Sequence, residues 1–528
     1  MGCVFFCENY KTSKATIQVK PQMKQLIHSG VLIPKRYEPK GFHIKINGEQ
    51  VALTPHQEEM AVAWVKKLGT DYVKDPVFIN NFFQDFSEAM EMSGKPLSPE
   101  QVDFMEIINF VENEKLIKAN MSKEEKKKQA QERKVLREAN KEKYAYAIID
   151  GIKTEVGNCT VEPPSIFMGR GEHPIRGRWK PYVGEEDIIL NLSPDAPRPP
   201  GNWKAIEWHP DYMWIAKWDD KLVGKEKYIW LSDSSHLKQQ KEIEKFDKAK
   251  FLAKKIGKLR DHISRDLQSK DSRIRKIATV VYLIDELKLR VGDEKDPDEA
   301  DTVGATTLRP SHITINSTNR AFFDFLGKDS VRWQKEVELP EVVVQNINEF
   351  KIEAEAKGQS DGTIFEGIRS EHINSFLSQV MPGLTAKVFR TYHASSVVRN
   401  SLEKANVAKA EPVVAKKNAA TMANLEAAII CNHKRKPPKT WEESLAKKTD
   451  RLHTLEDSPK KTPRLEERIR ALRLKIQEVQ ATRDYNLRTS LKSYIDPRIY
   501  YSWGKSVDFD WKLYYPKTLQ KKFSWVEK

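Results

Sequence analysis

Two cations near the start of a predicted helix are the first residues whose placement needs a chemical reason. Pro382 and Gly383 end one helical segment, and Thr385 can cap the next. Lys387 and Arg390 then fall three residues apart on one face of its first turns. Positive charges at a helix N-terminus oppose the macrodipole, so a bound anion would stabilise them most. A tertiary ion pair fits the same pattern, and spacing alone leaves the two interpretations open.

Three further basic residues occupy positions from which they could contact a phosphate. His433 follows an apolar helical segment, and at a helix C-terminus the dipole favours the imidazolium, a suitable donor to a phosphate oxygen. Lys328 lies at the tip of a predicted hairpin, from which its side chain can reach into a groove. Arg290 closes a predicted helix. The corresponding structural alternatives are a capping histidine, an ordinary turn lysine and a partner for the helix dipole.

The sequence offers several nucleophiles without choosing among them. Cys431 lies in an apolar helix, where an inert core thiol is the expected role. The C-terminal region contains Tyr494, Tyr500, Tyr501, Tyr514 and Tyr515. Most of these tyrosines should be packing residues, and periodicity does not distinguish them. The local patterns therefore indicate a basic, metal-free site that contacts phosphate, and they leave open whether its chemistry is covalent.

Other kinds of site are excluded by pattern. Three Gly-Lys pairs invite comparison with a P-loop, but the best of them, Gly504-Lys505-Ser506, has Ile499 where the first glycine belongs. The sequence has no HExxH, no paired CxxC and no close acidic cluster that would suggest a catalytic metal. Cys3 and Cys7 form a lone C-x₃-C without further ligands. We therefore expect neither a nucleotide cofactor nor a metal.

The composition places these residues in a basic chain of several domains. The length of 528 residues corresponds to about three or four domains. Lys and Arg total 90 and Asp and Glu total 75, so the net charge is +15, and 39% hydrophobic residues suffice for real cores. A polyanion is the expected partner, and nucleic acid is the commonest one.

Cysteine usage and the N-terminus indicate an intracellular protein. The four cysteines in so long a chain favour a reducing compartment without a disulfide framework. The longest apolar runs are only a few residues, far short of the roughly 20 that a membrane span needs. The N-terminus has no basic region ahead of a long apolar stretch, and Phe6 stands where a myristoylation signal has Ser or Thr. No secretory signal, lipid anchor or membrane span is expected.

In the front part of the chain the pattern predicts mixed α and β elements. Residues 41–53 alternate like two strands around Asn47-Gly48, a strong hairpin signal, and Thr54-Pro55 then begins a helix. The charged stretch 122–143 starts with a capping box, which predicts a long solvated helix. Residues 160–235 contain short alternating runs typical of a small β-rich unit.

In the rear part the pattern predicts helices around one hairpin. A helix ending near Arg290 has one apolar face, residues 313–340 form the hairpin, and residues 370–435 are helical with a break at Pro382-Gly383. The apolar face consists of Ile277, Val280, Val281, Ile284 and Leu287.

After Pro437-Pro438, apolar residues repeat at heptad spacing on both sides of a turn at 456–463. They are Leu445, Leu452, Leu455, Leu465, Ile469, Leu472, Ile476 and Val479. Two such runs around a turn predict an antiparallel helical hairpin.

Several motifs also occur in a characteristic order. The rear part contains KIATVVYLIDELKLRVGDEK, EADTVGATTLR, FDFLGKDSVRW, GLTAKVFRTYHAS, IICNHKRKPPKT and SYIDPRI. The front part contains YEPKGFHIKINGEQVAL, INNFFQDF, MSKEEKKK, EPPSIFMGRGEHP and EDIILN. In this order they resemble type IB DNA topoisomerases of the eukaryotic-like, swivelling kind. The resemblance covers nearly the whole chain and is far more specific than any single motif.

The resemblance implies which residues do the chemistry. The family's catalytic pentad falls on Arg290, Lys328, Arg390, His433 and Tyr494. The family's Tyr-x-Asp-Pro-Arg string selects Tyr494 as the nucleophile and leaves Tyr500 and Tyr501 as packing residues. Further positions near DNA in such enzymes match Arg170, Lys180, Lys238, Thr302, Asp329, Lys387 and Asn432.

The implied reaction joins Tyr494 to a 3′-phosphate and leaves a free 5′-hydroxyl. Arg290, Arg390 and His433 would stabilise the transition state, and Lys328 would act as the general acid. The covalent bond conserves the phosphodiester energy, so neither ATP nor a metal would be needed. The implied partner is double-stranded DNA, and the implied state is a monomer.

The resemblance implies an α+β multidomain fold, a two-lobed DNA clamp. A mixed α/β cap would span residues 1–228, and a mainly α-helical catalytic lobe carrying a β-hairpin would span 229–436. An antiparallel coiled-coil linker would follow at 437–486, and residues 487–528 would form a C-terminal piece with the nucleophile. The lobes would close around the duplex and contact phosphates rather than base edges, so sequence preference should be weak.

The sequence departs from the nuclear enzymes in three ways. It lacks their long charged N-terminal tail, its helical hairpin is shorter than their linker, and Ser493 precedes the tyrosine where they tend to have Asn. These features favour an archaeal short form. A cytoplasmic, nucleoid-associated location follows if that is right, and a nuclear one if the chain is eukaryotic.

Two other functions compete with a topoisomerase. A tyrosine recombinase or integrase shares the Arg, Lys, His and Tyr chemistry, but the resemblance of the front part and the linker hairpin disfavours it. A non-enzymatic DNA clamp would need only the charge of +15 and basic helices. Counterparts of all five pentad residues disfavour a mere clamp, since binding needs no nucleophile.

Overall fold

The computed structural model describes residues 23–528 except 93, 95, 294–300, 357–361 and 461. The expectations for Cys3, Cys7 and Phe6 lie outside these residues. The fold is mixed α+β.

The elements of the front part are β1 (Leu26–His28), β2 (His43–Ile46), β3 (Glu49–Ala52), α1 (Pro55–Val65), α2 (Pro76–Ala89), β4 (Val102–Asp103), α3 (Met105–Asn120), α4 (Lys123–Tyr144), β5 (Tyr146–Ile149), β6 (Ile152–Glu155), β7 (Ser165–Ile166), β8 (Trp179–Lys180), β9 (Ile189–Asn191), β10 (Ala205–Glu207), β11 (Trp214–Asp219) and β12 (Glu226–Trp230).

The rear part is mainly helical. Its elements are α5 (His236–Asp266), α6 (Ser272–Leu287), β13 (Ile313–Ile315), β14 (Arg320–Gly327), β15 (Val331–Glu338), α7 (Glu341–Ala356), α8 (Ser370–Val380), α9 (Ala386–Ala405), α10 (Val413–Ile430), α11 (Trp441–Glu456), α12 (Pro463–Ala481), α13 (Leu487–Ser493), α14 (Pro497–Val507) and α15 (Lys517–Lys522).

The chain forms two compact units, and neither is a continuous stretch of sequence. The first unit contains residues 23–36, 117–164 and 181–237 of the described chain. The second unit contains residues 37–116, 165–180 and 238–528. The domain boundaries expected near residues 228, 436 and 486 stay predictions.

In the first unit, two sheets surround one apolar core. Strands β1, β5 and β6 form an antiparallel sheet, and β10, β9, β11 and β12 form a second, mixed one. His28 of β1 is buried: its Nε2 donates to the carbonyl of Asn191 at 2.9 Å, and its Nδ1 accepts from the Gly30 N–H at 3.1 Å. Burial lowers the pKa of His28 to about 4, so the ring is neutral in the folded protein.

The local signals of the front part are confirmed. Asn47 and Gly48 turn between β2 and β3 with φ values of 50° and 91°, the left-handed geometry of a tight hairpin turn. Thr54 caps α1, and its backbone N–H donates to Gln57 Oε1 at 2.8 Å. Ser122 caps the long charged helix α4 in the same way.

The rear part agrees with the sequence except at two helix ends. The predicted apolar face of α6 packs into the core, and β14 and β15 form the predicted hairpin. Helix α6 ends at Leu287, however, so Arg290 lies three residues beyond the helix that it was expected to close. A further break, which begins at Asn406 with φ 43° and ends at Pro412, separates α9 from α10.

Helices α11 and α12 occupy the segment predicted as a helical hairpin. The indole N–H of Trp441 in α11 donates to the Val479 carbonyl of α12 at 3.4 Å, and Arg473 pairs with Glu456 at 2.7 Å. Ile469 is buried, while the other heptad residues are half-buried. The interpretation of this pair as a coiled-coil linker stays a prediction.

The C-terminal helices pack on α9 and α10. Tyr500, Tyr515 and Phe523 are fully buried in this core. The Tyr500 hydroxyl donates to the Ala420 carbonyl at 3.0 Å, and burial raises the pKa of Tyr500 well above its usual value. This packing brings α13, and with it Tyr494, close to Arg390 of α9 and to His433, which follows α10.

Candidate active site

Arg390 of α9 is a buried cation held by carbonyl groups. Its guanidinium donates to the carbonyls of Lys288 and Cys431, both at 2.7 Å, and it is 5% exposed. Its Nε is buried without a hydrogen-bond partner among the described residues. Arg390 forms no ion pair in the described part of the chain. Its guanidinium is therefore a buried positive charge with free hydrogen-bond donor capacity. Thr385 is at the predicted cap position of α9, but its side chain makes no capping hydrogen bond.

Arg290 lies in an irregular segment that packs tightly against a second one. The carbonyl of Arg290 accepts from the Ala305 N–H at 2.9 Å. A Cβ at Gly304 would lie 2.4 Å from the Cα of Gly292, so both positions require glycine. Burial and the neighbouring charge of Arg390 lower the pKa of Arg290. Two guanidinium groups are therefore held together in a half-buried site, an arrangement that a bound anion would stabilise.

Lys328 is exposed in the turn between β14 and β15, as predicted. Asp329 and Ser330 adopt left-handed φ values of 65° and 56° in the same turn, an unusual conformation for non-glycine residues. Below the turn, Phe325 stacks on Trp333 with ring centroids 5.3 Å apart. A rigid hairpin therefore presents the lysine on a sharply bent tip.

The segment 165–180 holds this turn. Arg170 Nη1 lies 2.6 Å from Asp329 Oδ1, and the Ser330 hydroxyl donates to the Arg170 carbonyl at 3.3 Å. A Cβ at Gly171 would lie 2.3 Å from the Cβ of Ser330, so only glycine permits this approach. Two residues expected to contact DNA, Arg170 and Asp329, are thus paired with each other, and this pair fixes the tip that carries Lys328.

His433 lies beyond the end of α10 and is buried. Its Nε2 is 3.3 Å from Arg390 Nη2, and its Nδ1 has no partner among the described residues. The helix dipole alone would favour an imidazolium here, but burial and the charges of Arg390 and Arg290 lower the pKa of His433 to about 3. Burial, together with the two guanidinium charges, outweighs the helix dipole, so the ring is neutral at pH 7.

Tyr494 caps α13, and its phenol points at these cations. The Arg290 Nη2 donates to the Tyr494 hydroxyl at 3.3 Å. The Arg390 guanidinium lies 4.9 Å above the centre of the tyrosine ring, and the imidazole of His433 stacks on that ring at 5.4 Å. Of the five C-terminal tyrosines, Tyr494 is the one that meets the predicted basic residues.

A cavity of about 740 Å³ opens in front of this cluster. Arg290, Lys328, Arg390 and Tyr494 line it together with two of the predicted DNA contacts, Thr302 and Lys387. Three lysines of α5, Lys241, Lys245 and Lys248, line it as well. Sequence reasoning missed these three, although their spacing of four and three residues is a helical stripe of positive charge.

The remaining predicted contacts lie at different distances from the cluster. Asn432 is beside it, lining a small cavity with Arg290, Lys328 and Arg390, and its amide donates to the Arg332 carbonyl at 3.2 Å. Lys180 in β8 and Lys238 in the first turn of α5 do not line either cavity. For these two residues, contact with DNA stays a prediction.

No helix in the described ranges is long and apolar enough to cross a membrane. Among the same residues, no three His, Cys, Asp or Glu side chains are grouped so that they could hold a metal ion.

Comparison with known proteins covers almost the whole described chain. The family model for the DNA binding fragment of eukaryotic DNA topoisomerase I matches residues 21–231, and the model for its catalytic core matches 234–465. A model for a C-terminal topoisomerase domain matches 466–528. These matches define a topoisomerase core with both of its flanking regions. The chain belongs to the eukaryotic DNA topoisomerase I family.

Individual relatives agree with this assignment. DNA topoisomerase 1 beta of Arabidopsis thaliana is 36% identical over 95% of this chain and 58% of its own length. DNA topoisomerase 1 of Caenorhabditis elegans is 35% identical over 98% of this chain and 68% of its own length. The human DNA topoisomerase 1 is 34% identical over 95% of this chain and 70% of its own length. The chain thus spans somewhat more than half to about two thirds of these relatives. The expected archaeal short form, monomeric state and compartment stay predictions.

Proposed function

We propose that this chain is a type IB DNA topoisomerase, which relaxes positive and negative supercoils without ATP or a metal. Its intermediate would be a 3′-phosphotyrosine on Tyr494. The observation that carries the proposal is the arrangement around one phenol. The Arg290 guanidinium donates to the hydroxyl at 3.3 Å, the Arg390 guanidinium lies over the ring, and neither forms an ion pair within the described ranges. Cations so placed suit an incoming phosphodiester.

The proposed cleavage step exchanges one phosphate ester for another. The Tyr494 oxygen attacks the phosphorus and forms the new P–O bond, while its own proton leaves to solvent. The bond from phosphorus to the 5′-oxygen breaks, and Lys328 donates a proton to that oxygen. The products are a 3′-phosphotyrosine and a free 5′-hydroxyl. The step is isoenergetic to a first approximation, so its reversal reseals the strand after rotation.

The other side chains stabilise the charge that develops on the phosphate. Arg390 Nη2 lies 3.3 Å from His433 Nε2, and this N–H would turn toward a non-bridging oxygen of the phosphate. The negative charge of the phosphate would raise the pKa of the His433 ring, and the ring, on taking up a proton at Nε2, could donate to a non-bridging oxygen. Such preorganised donors in a desolvated site are worth about 10²–10³-fold each.

Double-stranded DNA is the proposed partner, and the cavity supports it. Lys241, Lys245 and Lys248 of α5 and Lys387 of α9 line the cavity beside Arg290. A stripe of lysines can follow a phosphate backbone without reading the bases. Binding should therefore weaken steeply with salt, with a log–log slope of about −0.9 per neutralised phosphate.

The proposal is tested with supercoiled plasmid in the presence of EDTA and without ATP. A ladder of topoisomers is expected from the parent protein. Defined recombinant products would instead indicate a recombinase, and a retarded but unchanged plasmid would indicate a binding clamp. Either of these two results overturns the proposal.

Tyr494→Phe removes one oxygen and keeps the ring that stacks on His433. We expect relaxation and denaturant-trapped adducts to disappear, while DNA affinity stays within a few-fold of the parent. Tyr501→Phe is the matched control and should remain active, since its ring is half-exposed and contacts Lys505. Peptide mass mapping should place the parent's adduct on Tyr494 with a free 5′-hydroxyl on the cut strand. An adduct on another tyrosine, or a 5′-linkage, would overturn the assignment.

A further inference from the structure

Three successive carbonyl groups around Tyr494 are bound by side chains from three different helices. Lys522 Nζ of α15 donates to the Lys492 carbonyl at 3.2 Å, and Lys245 Nζ of α5 donates to the Ser493 carbonyl at 3.1 Å. The hydroxyl of Ser395, in α9, donates to the Tyr494 carbonyl at 3.2 Å. The last carbonyls of a helix have no partner within it, and cations there also complement the helix dipole. The C-terminal end of α13 is therefore held by hydrogen bonds from α5, α9 and α15.

Glu242 joins the two lysines of this group. Its Oε2 lies 2.7 Å from Lys245 Nζ and 3.3 Å from Lys522 Nζ. Lys522 is buried at 6% exposure, and Glu242 and Lys245 are half-buried. One carboxylate thus allows two ammonium groups to lie side by side in a partly desolvated place. Burial lowers the pKa of Lys245, and the Glu242 carboxylate opposes that effect.

We propose that Glu242, Lys245 and Lys522 form a positioning clasp that fixes the Tyr494 phenol against Arg290. The inference rests on the proposed function, because it assigns the clasp a purpose only if Tyr494 is the nucleophile. The clasp touches the backbone of Lys492 and Ser493, not the reacting atoms, so its members are positioning residues. It connects α5 with α13 and with α15, which contribute Ser493, 248 positions from Lys245, and Lys522. The clasp therefore sets where the C-terminal piece sits on the catalytic lobe.

The distance that the clasp would maintain is the one between the Tyr494 hydroxyl and the Arg290 guanidinium. The phenol oxygen is 3.3 Å from Arg290 Nη2, and a misplacement of about 1 Å in such a site can slow the reaction about 10²-fold. Loss of the clasp through Lys522 or Glu242, which do not line the cavity, should therefore slow cleavage and leave DNA binding almost unchanged. A cation that merely contacted DNA would show the opposite pattern, with weaker binding and a smaller salt slope.

The first test compares Lys522→Met with Lys517→Met in the full chain. Lys517 begins the same helix and is exposed, so the two variants lose the same charge from the same element. We expect Lys522→Met to lower the single-turnover rate of adduct formation on a suicide DNA substrate by about 10–100-fold, with the Kd for DNA within about three-fold. Lys517→Met should behave as the parent, and Lys522→Arg should recover most of the rate because it keeps a cationic donor. Equal rates for Lys522→Met and Lys517→Met would overturn the clasp.

The second test does not depend on activity. Hydrogen exchange of the amides of residues 487–495 should be faster in Lys522→Met and in the milder variant Glu242→Gln, and unchanged in Lys517→Met. Unchanged exchange in both clasp variants would overturn the clasp even if the parent relaxes DNA. If the clasp variants exchange faster but the parent protein forms no adduct on Tyr494, the clasp still holds α13 in place, and the proposed function is overturned. Glu242→Gln also guards against a fold defect of Lys522→Met, since it removes charge without changing shape.

Discussion

The backbone N–H of Asn486 donates to the carbonyl of His433 at 2.7 Å. The chain that leaves His433 to form α11 and α12 therefore returns to the same residue. Next to this bond, the Arg435 N–H donates to the Asp484 carbonyl at 2.8 Å, and Lys434 and Tyr485 form a β-bridge. Asn486 also caps α13, the helix that leads to Tyr494. The base of the helical pair thus lies, along the chain, between His433 and Tyr494, the two residues whose rings stack on each other.

A break at the far end of the helical pair should be tolerated. Ser458 lies in the turn between α11 and α12, while the tie at His433 and the contact of Asn418 with the Leu474 carbonyl hold both pieces elsewhere. We expect a chain split at Ser458 to associate and to retain plasmid relaxation, at a reduced rate. The matched control is a split between Tyr485 and Asn486, which opens the tie and should abolish adduct formation. If the two pieces split at Ser458 associate but form no adduct, the turn between α11 and α12 is needed for cleavage and the prediction is wrong.

Lys328→Ala should cleave normal DNA slowly and recover on a better leaving group. General-acid catalysis is worth about 10²–10⁴-fold, and it is needed only because an alkoxide leaves poorly. A substrate with sulfur at the bridging 5′ position should therefore restore most of the cleavage rate. Lys387→Ala is the matched control in the same cavity, and it should slow both substrates by the same factor. Equal slowing by Lys328→Ala would make Lys328 a DNA-positioning residue.

Glu58→Ala should destabilise the front of the second unit. The buried Glu58 carboxylate accepts from the Tyr37 hydroxyl and from the N–H groups of Lys40, Gly41 and Phe42 at 2.7–3.0 Å. Removing it leaves several donors without an acceptor, and each unsatisfied buried donor costs about 1–3 kcal/mol. A clear fall in the urea midpoint is expected, with a smaller one for Glu58→Gln, which keeps one oxygen. The exposed Glu112→Ala should change stability by less than about 0.5 kcal/mol.

Acid should weaken the first unit through His28. Its pKa is about 4 in the folded protein and 6.5 when unfolded, so the unfolded chain binds the extra proton between these values. The stability due to the neutral ring is complete above pH 6.5 and falls as the pH is lowered toward 4, by roughly 3 kcal/mol in total. Urea midpoints between pH 7 and pH 4 should show this loss. His28→Gln, which can still donate and accept, should flatten that pH dependence.

Signals carried by neighbouring residues in the sequence were sufficient for much of the fold. The Asn47-Gly48 turn, the caps at Thr54 and Ser122 and the hairpin that carries Lys328 all follow from local backbone preferences. The apolar face of α6 follows from helical spacing. The end of α6 was misplaced because Lys288 closes the helix in a left-handed conformation without a glycine, which no spacing rule predicts.

The site itself could be predicted only in part. Resemblance supplied the five residues, but the charge state of His433 depends on its burial and on two arginines that are far from it in sequence. The pairing of Arg170 with Asp329 joins residues 159 positions apart, and the contact of Lys245 with the Ser493 carbonyl joins residues 248 positions apart. Periodicity describes one helix or strand at a time, so it does not predict contacts between elements that are far apart in sequence.

The discontinuous make-up of the units has a consequence for how the chain folds. Ile166 and Trp179 complete the aromatic core that starts with Phe42, yet the residues between, 117–164, belong to the other unit. The segment that starts at Phe42 therefore cannot complete its core until residues 165–180 have been added, and until then its apolar surface is exposed to solvent. Long-range pairings of this kind slow folding and lengthen exposure to aggregation. Refolding should accordingly be one interdependent process, and pieces cut at a single point should recover poorly unless both are present from the start.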